Sequence, residues 1–318
     1  MIRVSAATAA VIGLKNSRLD ARPSTAYLMA GENCLRSCGF CPQGRASGAR
    51  TDMLSRVTWP PAEPDRVADL VGRAYEQGRF SRACIQAVQG RGYRREVAGL
   101  LEAIKRRTPI PVAVCLAPAG VRELKGWFER GADRAGLPLD TANPGLHARL
   151  KGRSWERDLA LIEGAAAAFP GRIGTHLIVG LGETEEEMTR LIGRITGLGV
   201  TVGLFAFTPV RGTPLEGRMP PPLASYRRIQ AARYLLASGS VAPEGISFRQ
   251  GRIVDFGVPA GRLRRLLAGG DAFRTSGCPD CNRPFYNERP GGPVYNYPRA
   301  LTPEEEEQAI ALCCSNGG

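Results

Sequence analysis

From Ser24 to Phe248 the sequence alternates between short apolar runs that read as strands and longer amphipathic runs that read as helices, and this alternation constrains the fold more than any other feature. Strands are expected at Ser24–Gly31, Arg82–Val88, Pro111–Ala117, Asp133–Leu139, Arg172–Val179 and Val200–Phe207, with shorter pieces at Gly245–Phe248 and Ala272–Ser276. The intervening 3.6-residue spacing predicts helices over Pro64–Gly78, Val97–Arg107, Ser154–Phe169 and Leu223–Leu236. Thr184-Glu-Glu-Glu187 is a capping box that opens another helix reaching about Leu198, and Thr302 caps a final one. Strands that alternate with helices pair in parallel. The expected fold class is therefore α/β, a (β/α) barrel, partial or complete and TIM-like, of a size that 318 residues can fill. The chain divides into an N-terminal helical segment (1–23), the barrel (24–276) and an irregular extension (277–318) rich in Pro, Gly, Asn and Tyr.

Directly after the first strand, Cys34-Leu-Arg-Ser-Cys38-Gly-Phe-Cys41 places three thiols on one short loop. Three thiolates there can hold three irons of a 4Fe-4S cluster and leave the fourth iron open to chelate a cofactor. Structural zinc wants four closed ligands, usually as Cys-x2-Cys pairs, and an odd number of cysteines leaves a disulfide unsatisfied. In a barrel of this kind the chemistry collects where the loops after the strands converge, so the cysteine loop belongs at that mouth. Cys278-Pro-Asp-Cys281 is a second clamp, in a polar segment with little packing reason to carry it. Cys84 and Cys115 sit on neighbouring strands as further ligands or as buried packing. His176 reads as a substitute ligand or as a hydrogen-bonded barrel histidine, and Cys313-Cys314-Ser315 as a further ligand or as a disordered tail.

The 43 Lys and Arg against 30 Asp and Glu leave a net charge of +13, which suits an acidic partner. The basic clusters lack the aromatic interleaving of single-stranded nucleic-acid binders, and a solvated basic surface is the plain alternative. No run approaches the ~18 apolar residues of a membrane span. Nine cysteines without a convincing secretory signal favour metal or catalysis over a disulfide scaffold, and a cytoplasmic location is expected.

The spacing Cys34-x3-Cys38-x2-Cys41, with the aromatic Phe40 before the last cysteine, resembles the signature of radical S-adenosylmethionine (SAM) enzymes. Phe207-Thr-Pro-Val-Arg-Gly-Thr-Pro-Leu215 resembles the segment after the sixth strand in biotin synthase and its relatives. The resemblance implies a radical SAM barrel and two cofactors, a 4Fe-4S cluster and SAM. Phe40, Asp140 at a strand end, and Val179, Gly180 and Gly182 in a glycine-rich turn are then expected around SAM. The turn also reads as an ordinary strand-to-helix connection, and Asp140 as a helix cap.

The spacing of Cys84 and Cys115 resembles the strand cysteines of biotin synthase's auxiliary cluster, whose third member would fall near Gly174 here and is absent. The run Gly277 to Pro290 with Tyr295-Asn-Tyr-Pro-Arg299 resembles the split, two-protein lipoyl synthases. That likeness implies a second auxiliary iron-sulfur cluster on Cys278 and Cys281, with Cys84 and Cys115. It implies sulfur insertion into an octanoyl chain on an acidic octanoylated lipoyl-carrier protein. The partners implied are that carrier, a second lipoyl synthase component, and an electron donor such as ferredoxin or flavodoxin, with no nucleic acid and no membrane. A biotin-synthase-like enzyme acting on a free small molecule is the alternative, and a non-enzymatic iron-sulfur scaffold or electron carrier is the reading from another class.

Overall fold

The computed structural model describes residues 1–288 and 291–314. Six parallel strands form its centre: β2 (Thr25–Ala30), β3 (Arg82–Ala87), β4 (Val112–Cys115), β5 (Arg134–Gly136), β6 (Ile173–Val179) and β7 (Thr201–Ala206). They hydrogen-bond in that sequence order. A strand β1 (Ile2–Val4) adds antiparallel to β2, and Pro61–Ala62 adds to β1 at the sheet edge. The N-terminus was expected to be helical, and the structure corrects this in part. Ile2 and Val4 alternate with Arg3 and bury their side chains as strand residues, so the helix α1 (Ala6–Val11) begins only after Ser5, whose hydroxyl accepts from Thr8 N.

Crossover helices cover the outside of the sheet: α2 (Pro64–Glu76), α3 (Tyr93–Arg107), α4 (Val121–Glu129), α5 (Pro144–Lys151), α6 (Trp155–Ala168), α7 (Glu185–Gly197) and α8 (Leu223–Ala237). Alternate strand residues point to opposite faces. The outward row, with Leu28, Ile85, Val114, Ala135, Leu177 and Leu204, is fully buried in the main core beneath the helices. The expected capping box is present: Thr184 accepts from Glu187 N while Glu187 accepts from Thr184 N.

Two short strands read from the sequence do not join the barrel. Ser247–Arg249 pairs antiparallel with Arg252–Asp255 in a separate hairpin, turned by Gln250 and Gly251 at positive φ. The stretch around Ala272 is a single 3-10 turn (Asp271–Phe273), followed by one bridge from Arg274 to Tyr297. Its chain goes instead to close the barrel. Ser276 Oγ accepts from Leu204 N on β7 at 2.9 Å, and Asn282 Oδ1 accepts from Ser24 N before β2 at 2.9 Å. The C-terminal segment thus connects two ends of the parallel array that do not pair with each other. Arg227 and Gln230 on α8 anchor it by donating to Tyr295 O at 2.6 and 3.0 Å.

Beneath the mouth, α5 and α6 carry a buried polar relay. His147 bonds Thr141 Oγ1 at 2.8 Å and Asp158 Oδ2 at 3.2 Å, and Arg153 donates to the other oxygen of Asp158 at 2.6 Å. Burial alone would raise the Asp158 carboxyl, but its bonds to His147 and Arg153 prevail and hold it at about 2. An unfolded aspartate titrates near ~3.9, so the relay's stabilisation is complete above that pH and is lost as pH falls toward the folded value. We therefore expect the melting temperature of the wild-type protein to fall more steeply between about pH 4 and pH 2 than that of Asp158→Asn, the variant being the less stable at neutral pH. Parallel melting curves through this window would show that the relay contributes nothing.

Candidate metal and cofactor site

The inward faces of the strands surround a cavity of about 1090 Å³, counting its opening to solvent, lined mainly by carbon. Phe40, Cys41, Asp140, Ile178 and Phe207 line it near the strand ends, while Tyr27, Cys84, Cys115, Cys278 and Cys281 line it deeper in the barrel. Cys41 of the cysteine loop and all four cysteines of the deeper group therefore meet one space, which Cys34 and Cys38 do not line.

The Cys34–Cys41 loop has no regular secondary structure and is held by its neighbours. Gly39 N donates to Leu150 O at the end of α5 at 2.8 Å, and Leu215 N donates to Gly39 O at 3.2 Å. The loop turns tightly through Cys41 N to Cys38 O at 3.0 Å. A Cβ on Gly44 would lie 2.8 Å from Cys38 O, so this turn needs glycine. Burial pushes the Cys38 thiol up to about 11, with Asp140 and Cys34 adding to it against Lys151 and Arg153. Burial likewise pushes Cys41 up to about 12, with Cys38 adding to it. The thiols are thus protonated without metal and release protons when they ligate. Phe40 packs with Leu146, Leu150, Leu181 and Phe207 in an apolar cluster beside the loop.

In the deeper group, Cys84 Sγ lies 3.6 Å from Cys115 Sγ. Cys281 N donates to Cys278 O at 3.1 Å, and Cys281 Sγ lies 3.3 Å from Tyr27 Oη. Burial pushes the Cys278 thiol up to about 11, raised further by Cys84 and Cys281 and opposed by Arg82 and Arg134. Gly136 pairs with Cys115 across the sheet, and a Cβ there would fall 2.7 Å from Cys115 Sγ. The glycine keeps space for that thiol. Among the described residues no three His, Cys, Asp or Glu side chains are spaced for a single ion. A 4Fe-4S cluster instead takes one thiolate per iron, and three thiols on a pinned loop, or four thiols around a deep pocket, match that donor set.

Asp140 lines the cavity at a φ of +67°, with its carboxylate 2.8 Å from Lys151 Nζ. The cap of α5 is Asn143, so the helix-cap alternative for Asp140 fails. The glycine-rich turn borders a neighbouring groove. Val179 backs onto the outer core, and Gly180 and Gly182 line a separate groove with Arg218 and Pro221. Their positive φ values allow close packing: a Cβ on Gly180 would meet Pro221 at 2.8 Å, and one on Gly182 would meet Arg218 at 2.8 Å. From this stretch Ile178 reaches the cavity, as strand parity with His176 and Gly174 would have indicated.

His176 lines the cavity with its ring edge-on to Phe205, centroids 5.2 Å apart. Loss of solvent, then the charge of Arg283, lowers its pKa to about 4 and keeps it neutral. Cys313 is buried on α9 (Pro303–Cys314) and is not a cavity residue; Ser315 lies outside the described residues. Sequence reasoning missed Gln86, Phe205, Arg283 and Tyr286, which also line the space.

The Radical SAM superfamily profile matches residues 29–195, which include the cysteine loop and four of the later parallel strands. The chain is 29% identical over 195 residues to a mitochondrial lipoyl synthase of Emericella nidulans, covering 58% of this chain and 45% of the relative. It is 26% identical over 191 residues to a lipoyl synthase of Chlorobaculum tepidum, covering 56% and 61%. It thus spans less than two thirds of either relative's length. The crystal structure of methylornithine synthase shares the fold with a TM-score of 0.53 at 16% identity, covering 71% of this chain and 68% of that one. With that profile covering more than half of its length, the chain belongs to the radical SAM superfamily.

Proposed function

We propose that this protein inserts sulfur into an unactivated C–H bond of an octanoyl chain carried on an acidic lipoyl-carrier domain, as one component of a two-protein lipoyl synthase. The observation that carries this reading is that Cys41 of the cysteine loop and the four deeper cysteines face one mostly apolar cavity. The similarity to two lipoyl synthases supports it. Cys34, Cys38 and Cys41 hold the 4Fe-4S cluster that binds SAM, and Cys278, Cys281, Cys84 and Cys115 hold the auxiliary cluster. When bound, these groups supply a hydrogen-abstracting radical on one side and sulfide on the other. The chain's own part is placement and exclusion of water. Phe40, Ile178 and Phe207 present apolar surface beside the cysteine loop, and Asp140, fixed by Lys151, offers a carboxylate to hydroxyl groups. Phe205 and Tyr286 add aromatic surface to the same cavity. Among the described residues no helix is long and apolar enough to cross a membrane. The net charge of +13 serves encounter with the acidic carrier and with a small electron-transfer protein such as ferredoxin or flavodoxin.

Anaerobically reconstituted protein should hold about eight irons, and alanine at Cys34, Cys38 and Cys41 together should halve that content and abolish 5'-deoxyadenosine formation. Continued SAM cleavage by the triple variant would refute the assignment of the loop. Turnover of octanoylated carrier should fall as salt shortens the Debye length from ~8 Å near physiological ionic strength. Salt-independent turnover, or equal use of free octanoate, would favour the small-molecule alternative. The deciding assay is mass spectrometry of an octanoylated carrier peptide incubated with reductant and SAM. Monothiolated peptide should accumulate with this protein alone, and dithiol should form only when the second component is added. Efficient dithiol formation without a partner would overturn the split reading.

A further inference from the structure

Two side-chain donors aim at the deeper cysteines. Gln86 Nε2 donates to Cys84 Sγ at 3.1 Å, and Tyr27 Oη lies 3.3 Å from Cys281 Sγ. The phenol of Tyr27 is itself held by a third contact. Arg283 N donates to Tyr27 Oη at 2.9 Å, and a backbone N–H can only donate. The phenol oxygen accepts that bond, and once Cys281 ligates as a thiolate the only proton between the two atoms is the phenol's, so Tyr27 donates to the sulfur. Nor can the phenol swing away. Tyr27 is 2% exposed, and its ring packs on Tyr286 with centroids 5.2 Å apart, Tyr286 in turn meeting Trp59 edge-on.

The fold brings these groups together from three places. Tyr27 on β2 is in direct register with Cys84 on β3, and Gln86 is the next residue on the same face of β3. Cys281 and Arg283 arrive on the C-terminal segment that closes the barrel. Neither Tyr27 nor Gln86 is needed as a ligand, and both are placed where a donor changes the charge tolerance of a sulfur.

We propose that Tyr27 and Gln86 are positioning residues that raise the reduction potential of the auxiliary cluster by donating hydrogen bonds to the sulfurs of Cys281 and Cys84. This inference rests on the auxiliary cluster proposed above. A reduced iron-sulfur cluster carries one more negative charge than the oxidised one, part of it on the cysteine sulfurs. A fixed donor stabilises that state more than the oxidised state, and does so more strongly in a site shielded from water. Arg82, whose guanidinium donates to Pro279 O beside Cys278 at 3.4 Å, brings a positive charge that acts in the same direction. The deeper pocket is thus built to accept added negative charge.

The test uses the full chain with alanine at Cys34, Cys38 and Cys41, so that only the auxiliary cluster contributes to the signal. Its midpoint potential is followed by paramagnetic resonance during a redox titration, with iron content measured on the same samples. Tyr27→Phe keeps the ring contacts and removes the proton, and Gln86→Met keeps the approximate volume and removes the amide. Each should lower the midpoint at unchanged iron content. Site-specific difluorotyrosine at position 27, a more acidic phenol and stronger donor, should raise it. A structural ring contact would produce neither the fall nor the rise. Unmoved potentials in iron-loaded variants would overturn the inference, as would loss of iron in Tyr27→Phe joined to an unmoved potential in Gln86→Met. A parent variant without iron would overturn the auxiliary cluster itself, a result distinct from a bound cluster whose potential stays fixed.

Discussion

Strand parity is the constraint on which this protein depends. Each of the six parallel strands gives one row of side chains to the helices and the other to the interior. On β3 the same six residues bury Ile85 in the outer core and present Cys84 and Gln86 to the cavity. On β6, Leu177 goes out while His176 and Ile178 go in. A one-residue slip in register would put thiols, amide and imidazole among the helices and force aliphatic residues into the cavity. Packing of the outer core therefore aims the chemistry of the inner face.

The barrel is open as far as its strands are concerned, and the chain resolves this with irregular backbone. Irregular segments carry unpaired N–H and C=O groups, which need partners when buried. Here side chains provide them. Glu288 accepts from the backbone N–H groups of Asn287, Tyr295 and Asn296, and Arg283 donates to Leu204 O and Ser276 O. Burial raises the Glu288 carboxyl above its usual range while these amide bonds oppose the rise. The segment held in this way carries Cys278 and Cys281 to the cavity, so closure of the fold and assembly of the deeper cysteine group are one event.

The upper loop depends on a different support. Its backbone is tied to Leu150 and Leu215, hence to α5 and to the segment after β7. The relay through His147, Asp158 and Arg153 fixes α5 against α6. Lys151 donates to Pro138 O and Leu139 O while pairing with Asp140, which locks the strand end to the helix that follows it. The phrase resembling the segment after the sixth strand of biotin synthase has a structural task here: Gly212 O accepts from Gly48 N at 2.7 Å, bracing the far side of the cysteine loop.

Much of this was legible in the sequence because it is local. Strand and helix periodicity, the Thr184 box and the spacing of Cys34, Cys38 and Cys41 are written within a few residues of one another, and local hydrogen bonds or a single loop suffice to express them. What Val179, Gly180 and Gly182 pack against was not legible, because a glycine-rich turn looks the same whether it faces a ligand or a proline. The neighbours they meet, Pro221 and Arg218, lie about forty residues away in the chain. The same distance hides Tyr27 and Cys281, which are separated by more than 250 positions and meet at 3.3 Å. The sequence by itself determined the α/β alternation and the three-thiol loop. Tertiary structure alone decided that four scattered cysteines share one cavity, because that depends on cross-strand register and on where a segment without periodicity finds partners for its buried backbone.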